Sequence, residues 1–124
     1  EQALNTYDQA ILLIRKGRLN EALSALNTFV QVNDDSDDTP LAYFWMGEIN
    51  LTNGNLAVAT QNYNTLVGLY PTHWKVPLAK FKLGTIYLEQ GNDVRATAQF
   101  ENVIKEFPES SAAKASAETL SSLE

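Results

Sequence analysis

Three glycines stand 37 residues apart, Gly17, Gly54 and Gly91, and they do not recur alone. Ala22, Ala59 and Ala96 keep the same spacing, and so do Leu26, Tyr63 and Phe100. Between the second and third units the match extends to Pro40 and Pro77, Gly47 and Gly84, and Pro71 and Pro108. A fixed period of this length marks one supersecondary unit copied along the chain, each copy burying a face that it cannot bury alone. Within every unit the apolar residues follow a helical rhythm. Ala22, Leu26, Phe29 and Val30 fall at i, i+4, i+7 and i+8, as do Ala59, Tyr63, Leu66 and Val67, then Ala96, Phe100, Val103 and Ile104. That is one face of an amphipathic helix, three times over. The stretch before the repeated glycine is helical as well, with Met46, Ile49 and Leu51 following Phe44, and Leu83, Tyr87 and Leu88 following Phe81. Each unit is therefore predicted to be a pair of helices.

Gly17, Gly54 and Gly91 fall where the first helix must stop and reverse, a C-cap position that favours positive φ. Asn55 and Asn92 follow as candidate N-caps of the second helix. Gly47 and Gly84 lie inside the first helix, where Gly costs about 1 kcal/mol against Ala. Close packing is the expected reason, with the small Ala22, Ala59 and Ala96 facing that position from the second helix. Asp34, Pro71 and Pro108 close the second helices, and Ser36, His73 and Ser110 share one position just beyond. Ser there can cap the next helix, leaving Pro40 and Pro77 in its first turn, where a missing N–H costs little. Thr39 is an alternative cap. After Pro108, Ala113, Ala117, Leu120 and Leu123 line one face of a terminal capping helix, which a repeat stack needs at its open end. The expected fold is all-α: three helix hairpins plus a C-terminal cap in one domain over residues 1–124, with repeats at about 3–35, 36–72 and 73–109 and the cap at about 110–123.

Composition excludes most chemistry. The 124 residues include 15 Asp plus Glu against 9 Lys plus Arg, a net charge of -6, one histidine and no cysteine. With 44% apolar residues a chain of this size buries about two-thirds of its unfolded surface and needs no staples. Disulfides, thiolate nucleophiles and sulfur-built zinc sites are absent, and His73 alone cannot supply a histidine cage. Clustered Lys and Arg, which phosphate binding demands, are sparse, so nucleic acid is not an expected partner. No apolar run approaches the roughly 20 residues that span a bilayer, Ala10 to Ile14 being far too short, so no membrane insertion is expected. No nucleophile with a nearby base, no carboxylate pair in an apolar setting and no Gly-rich phosphate loop appears. Neither catalytic residues nor a cofactor or metal is expected, and a non-catalytic interaction module is the leading reading.

The recurring positions resemble the tetratricopeptide pattern. The second unit offers Tyr43, Met46-Gly47, Ala59, Tyr63 and Pro71, and the third Leu83-Gly84, Tyr87, Ala96, Phe100 and Pro108. The usual repeat is about 34 residues; each unit here has three more, between the closing Pro and the next helix. The run Ala42-Tyr43-Phe44-Trp45-Met46-Gly47-Glu48 resembles the A-x-Y-W-L-G-E signature of the Tol-Pal coordinator family (YbgF/CpoB). Lys75 to Gly84 resembles that family's second signature, and Val103 to Ser110 the end of its third repeat. The first unit departs most, with Ala10 where Gly47 and Gly84 stand and Asp34 where the prolines stand. The resemblance implies a tetratricopeptide solenoid in the periplasm of Gram-negative bacteria. It also implies binding to TolA and a link between outer-membrane constriction and the peptidoglycan synthase machinery in cell division. It implies, too, oligomerisation through an N-terminal coiled coil that this chain does not carry. The chain begins at Glu1 without Met or a signal-like segment and is expected to be a trimmed C-terminal repeat domain. The alternative is a general tetratricopeptide scaffold of an outer-membrane or pilus assembly system.

In such a solenoid the first helix of each pair lines the concave face. Its outward positions are expected to be Leu4, Tyr7, Ile11 and Ile14; Leu41, Phe44, Glu48 and Leu51; and Leu78, Phe81, Thr85 and Leu88. Ten of the twelve are apolar, and Tyr7, Phe44 and Phe81 form an aromatic ladder. A contiguous exposed apolar patch marks a site, so this stripe is the expected partner-binding groove. Leu, Phe and Ile there argue against a carboxylate clamp built on Lys, Arg and Asn. Trp45 reads as packing beside the ladder, His73 as a surface loop residue, and Lys75, Lys80 and Lys82 as a solvated basic face. The acidic run Asp34-Asp35-Ser36-Asp37-Asp38 lacks the glycine and closing Glu of a calcium loop and reads as a solvated loop.

Overall fold

The computed structural model describes residues 2–124, with side chains from Thr6 onward. It contains seven helices, α1 (Gln2–Arg15), α2 (Leu19–Val32), α3 (Thr39–Thr52), α4 (Leu56–Leu69), α5 (Val76–Glu89), α6 (Asp93–Glu106) and α7 (Ser111–Ser122), and no strand among the described residues. The three hairpin turns have one chemistry. Gly17, Gly54 and Gly91 take φ of 78°, 81° and 79°, and the residue after each donates its N–H five residues back: Arg18 to Leu13 O at 2.9 Å, Asn55 to Asn50 O at 2.8 Å, Asn92 to Tyr87 O at 2.9 Å. This is the Schellman closure, which satisfies orphan carbonyls at the helix end and requires the left-handed residue that Gly supplies.

Caps vary more than turns. The Asn92 side chain accepts from Arg95 N–H at 3.2 Å and caps α6, whereas Arg18 offers α2 no side-chain cap and pairs with Glu21 at 2.6 Å in full solvent. Pro40 and Pro77 sit in the first turns of α3 and α5, as expected. Neither Ser36 nor Thr39 caps α3. Ser36 Oγ accepts from Asp38 N–H at 3.1 Å, and the Thr39 hydroxyl donates to the Asn33 carbonyl. At the equivalent positions His73 Nδ1 accepts from Lys75 N–H, and Ser110 Oγ accepts from Ala113 N–H, each at 3.0 Å. Only Ser110 is a helix N-cap.

The chain divides into two compact units, Glu1–Thr65 and Leu66–Glu124. In the first, Tyr7, Ala10, Ala22, Leu26, Phe29, Ala42, Met46 and Ile49 form the buried core. Gly47 is there because of a ring: a Cβ on it would lie 2.6 Å from Tyr63. In the second, a Cβ on Gly84 would lie 2.5 Å from Phe100. The nearest atoms to each glycine are those of the ring on the opposite helix, and Ala59 and Ala96, the small residues expected at this contact, are fully buried on that same helix. α7 is turned by one position from expectation. Ala112, Ala113 and Ser116 are buried while Ala117 and Leu123 are exposed, because α7 packs on both α5 and α6 and only small side chains fit into that corner.

Candidate binding surface

Of the expected groove residues, Leu4 lies outside the described side chains. Tyr7 and Phe44 do not face solvent as anchors; they are 8% and 4% exposed. Each ring turns into its own hairpin, Tyr7 onto Phe29 at 5.4 Å and Phe44 onto Tyr63 at 5.9 Å between centroids. Burial of that large apolar area outweighs display of it. Ile11, Ile14, Leu41, Glu48 and Leu51 in the first unit remain partly exposed, as do Leu78, Phe81, Thr85 and Leu88 in the second. The two polar members are tied locally. Glu48 accepts from the Tyr63 hydroxyl at 2.7 Å, and the Thr85 hydroxyl donates to Lys82 O at 2.6 Å.

What the first unit does offer is an open depression of about 580 Å³ lined by Tyr7, Asp8, Ile11, Leu12, Arg15 and Trp45. Asp8, Ile11, Leu12 and Arg15 fall at i, i+3, i+4 and i+7, one face of α1. Leu12 is half exposed at 50%, and Trp45 reaches in from α3. One end of the depression is acidic. Partial burial, with the Asp8 and Asp37 carboxylates nearby, raises the Asp38 carboxyl above its usual range. Burial first, then Asp38 and Asp8, pushes the Tyr7 hydroxyl up to about 12, against a hydrogen bond with Trp45 that pulls it down. Arg15 marks the other end, exposed.

The second unit has a smaller recess of about 140 Å³ where the start of α5 meets the start of α7, lined by Trp74, Lys75, Pro77, Leu78, Ser110, Ser111 and Ala112. Trp74 is 70% exposed there, with the His73 ring stacked on it and Lys75 Nζ 5.3 Å from its centroid. Of the basic cluster, Lys80 pairs with Glu106 at 2.5 Å. Among the described residues no group of three or more His, Asp or Glu is placed to hold a metal ion, and no helix is long and apolar enough to cross a membrane.

Asp8, Leu12, Arg15 and Trp45 were not expected in the site. The signal for the first three was the i, i+3, i+4, i+7 pattern within α1, which Trp45, on α3, does not share. It was hidden because outward positions follow from the 37-residue register, which assigns Leu4, Tyr7, Ile11 and Ile14 to the face by analogy with the second and third units.

The fold has many solved counterparts, among them several at low identity. The structure of residues 41 to the end of MamA from Desulfovibrio magneticus RS-1 matches with TM-score 0.74 at 20% identity, over 87% of this chain and 58% of that one. The chain thus spans a little over half of the MamA structures it resembles. The Yersinia enterocolitica type III secretion chaperone SycD, in complex with a peptide of the translocator YopD, gives TM-score 0.79 at 14% identity, over 98% and 89% of the two chains. The first repeat domain of Spaghetti (RPAP3), bound to the HSP90 peptide SRMEEVD, gives 0.76 at 16%, over 98% and 91%. No curated protein matches. Tetratricopeptide repeat models match residues 7–73 and 78–110, and neither is a model of an enzyme family. With the first alone covering more than half of its residues, the chain belongs to the tetratricopeptide repeat family.

Proposed function

We propose that this chain is a non-catalytic module that captures a segment of a partner protein, and that it serves as the periplasmic Tol-Pal coordinator domain, with TolA as partner. The observation that carries the capture reading is the open depression of the first unit, where Leu12 at 50% exposure stands beside Trp45 in a protein able to bury both. Concave apolar surface with charged ends is the usual receptor for a peptide segment. Two of the structural neighbours are peptide complexes, which supports the same use of the fold here. The ligand is expected to differ from the acidic peptide held by Spaghetti, because Asp8 and Asp38 repel carboxylates at one end. The Tol-Pal assignment rests on the runs from Ala42 to Glu48, Lys75 to Gly84 and Val103 to Ser110, and the periplasm follows from it. Calorimetric titration with TolA should give saturable binding that Leu12→Asp and Trp45→Ala weaken about tenfold or more, the size expected of an apolar anchor. Affinity unchanged by both removes the depression as the site, and no binding at all removes TolA. A general assembly scaffold is the second reading, favoured by the likeness to a secretion chaperone; capture of other envelope proteins in place of TolA would support it.

A further inference from the structure

The exposed stripe of α1 reads Asp8, Ile11, Leu12, Arg15, and this order is complementary to itself when reversed. An antiparallel alignment that sets Asp8 of one copy against Arg15 of another sets Ile11 against Leu12, with the two-fold axis falling between them. At 1.5 Å per residue the charges lie about 10 Å apart along the helix, so both ion pairs bracket the apolar centre at once. From these placements we infer that the α1 face pairs with the α1 face of a second copy of the chain in an isologous, antiparallel contact.

Three further observations point to a second copy. The acidic pole gathers like charge: burial and the charges of Asp8 and Asp37 raise the Asp38 carboxyl. Arg15 is exposed, belongs to no ion pair among the described residues, and is followed by the equally exposed Lys16. The apolar centre is already at the surface, since Leu12 is 50% exposed. The other first helix of reversed polarity, α5, has Lys82 and Glu89 where α1 has Asp8 and Arg15. It offers no such centre, because Ile86 is fully buried and Thr85 replaces Ile11. One helix-on-helix contact is smaller than a standard interface, so the pairing is weak, in the high-micromolar range, and sensitive to salt. It does not depend on the proposed function, but it uses the same α1 face, so a second copy and a captured segment would exclude one another there.

Sedimentation equilibrium over a rising concentration series of the purified chain at low ionic strength tests the inference without any other partner. A reversible monomer–dimer equilibrium is expected, abolished by Leu12→Glu. Asp8→Arg and Arg15→Asp alone should each weaken it about tenfold or more, because either one turns both ion pairs of the two-fold contact into like-charge clashes. The two together should restore it, because the reversed stripe is again self-complementary. All three substituted positions are exposed, and circular dichroism of each variant checks that the helices are kept. A chain monomeric throughout, a dimer indifferent to Leu12→Glu, or a double variant no better than the singles overturns the inference. The last of these is also the result that a parallel contact between α1 of one copy and α5 of another would give, since there Asp8 faces Lys82 and Arg15 faces Glu89, and reversing both α1 charges makes each pair alike.

Discussion

At Gly84 the helix gives up a side chain so that a ring can lie against its backbone. The same exchange occurs at Gly47 under Tyr63, and its inverse in the first unit, where Ala10 and Leu26 occupy the two positions and share one buried core. Position by position, a ring goes with Gly and Leu goes with Ala, so volume is conserved across the contact rather than at either residue. Gly84→Ala gains about 1 kcal/mol of helix propensity, but its Cβ meets the Phe100 ring at 2.5 Å. Overpacking in a well-filled core costs about 1–3 kcal/mol, so a net loss of about 1 kcal/mol is expected. Phe100→Leu alone leaves a cavity. Together the two copy the first unit and should be less destabilising than their sum by about 1 kcal/mol, a coupling that urea unfolding of the double-mutant cycle reads directly; strict additivity would remove the contact as the reason for the glycine. A second residue is out of balance: the Ser116 hydroxyl is fully buried without a hydrogen-bond partner. Ser116→Ala removes that burden and favours the helix, and should stabilise by about 1 kcal/mol, seen as a raised urea midpoint with an unchanged slope.

Between helices, the α3–α4 hairpin has a buried side-chain amide pair that its neighbours lack. Asn50 Nδ2 donates to Asn62 Oδ1 at 2.9 Å and to Met46 O at 3.0 Å, with both side chains buried. The first unit has Leu13 and Ala25 at these positions; the third has Tyr87 and Gln99, whose amide reaches Lys80 O at 3.1 Å. A buried amide left without its partner costs about 1–3 kcal/mol, whereas replacing both by apolar groups of fitting shape is close to neutral. Asn62→Ala should therefore destabilise by about 1–2 kcal/mol, and adding Asn50→Leu should recover most of that in thermal unfolding. If the double variant is the worse, the tie is a net stabiliser and not an interchangeable filling. The helices themselves were legible because their signals repeat: a glycine every 37 residues gave each reversal, and the i, i+4, i+7, i+8 set gave each second helix. The contacts between helices were less so. Period alone does not say that the Tyr63 ring lies over Gly47, or that Tyr7 and Phe44 turn inward, because a residue at a helix edge can serve either face and the ring opposite decides.

Across the whole molecule, where the charge sits matters more than its sum of -6. Sequence order showed the acidic run from Asp34 to Asp38, but not that Asp8 joins it, since that proximity exists only once α1 lies beside the loop entering α3. Nor could it show that His73 has taken over the work of Ser36 and Ser110, because a ring nitrogen and a hydroxyl look unlike in sequence while both accept a backbone N–H. The two sites bend stability with pH in opposite senses. Burial, then the charge of Lys75, lowers His73 below its ordinary 6.5. The unfolded chain therefore takes up this proton first as pH falls, and stability contributed above pH 6.5 is lost until the folded value is reached. Asp38 is raised above its ordinary 3.8, so the folded chain binds that proton first, and stability is gained as pH falls from the folded value to 3.8. His73→Ser, which keeps an acceptor for Lys75 N–H, should flatten the loss just below pH 6.5 and leave the acid side alone. Asp38→Asn should raise the melting temperature at neutral pH, with the advantage shrinking towards pH 3.8. Melts of the three proteins across this range separate the two groups. A difference between wild type and His73→Ser that is constant with pH would mean that His73 keeps the same protonation state folded and unfolded, and that its hydrogen bond to Lys75 is not linked to the proton.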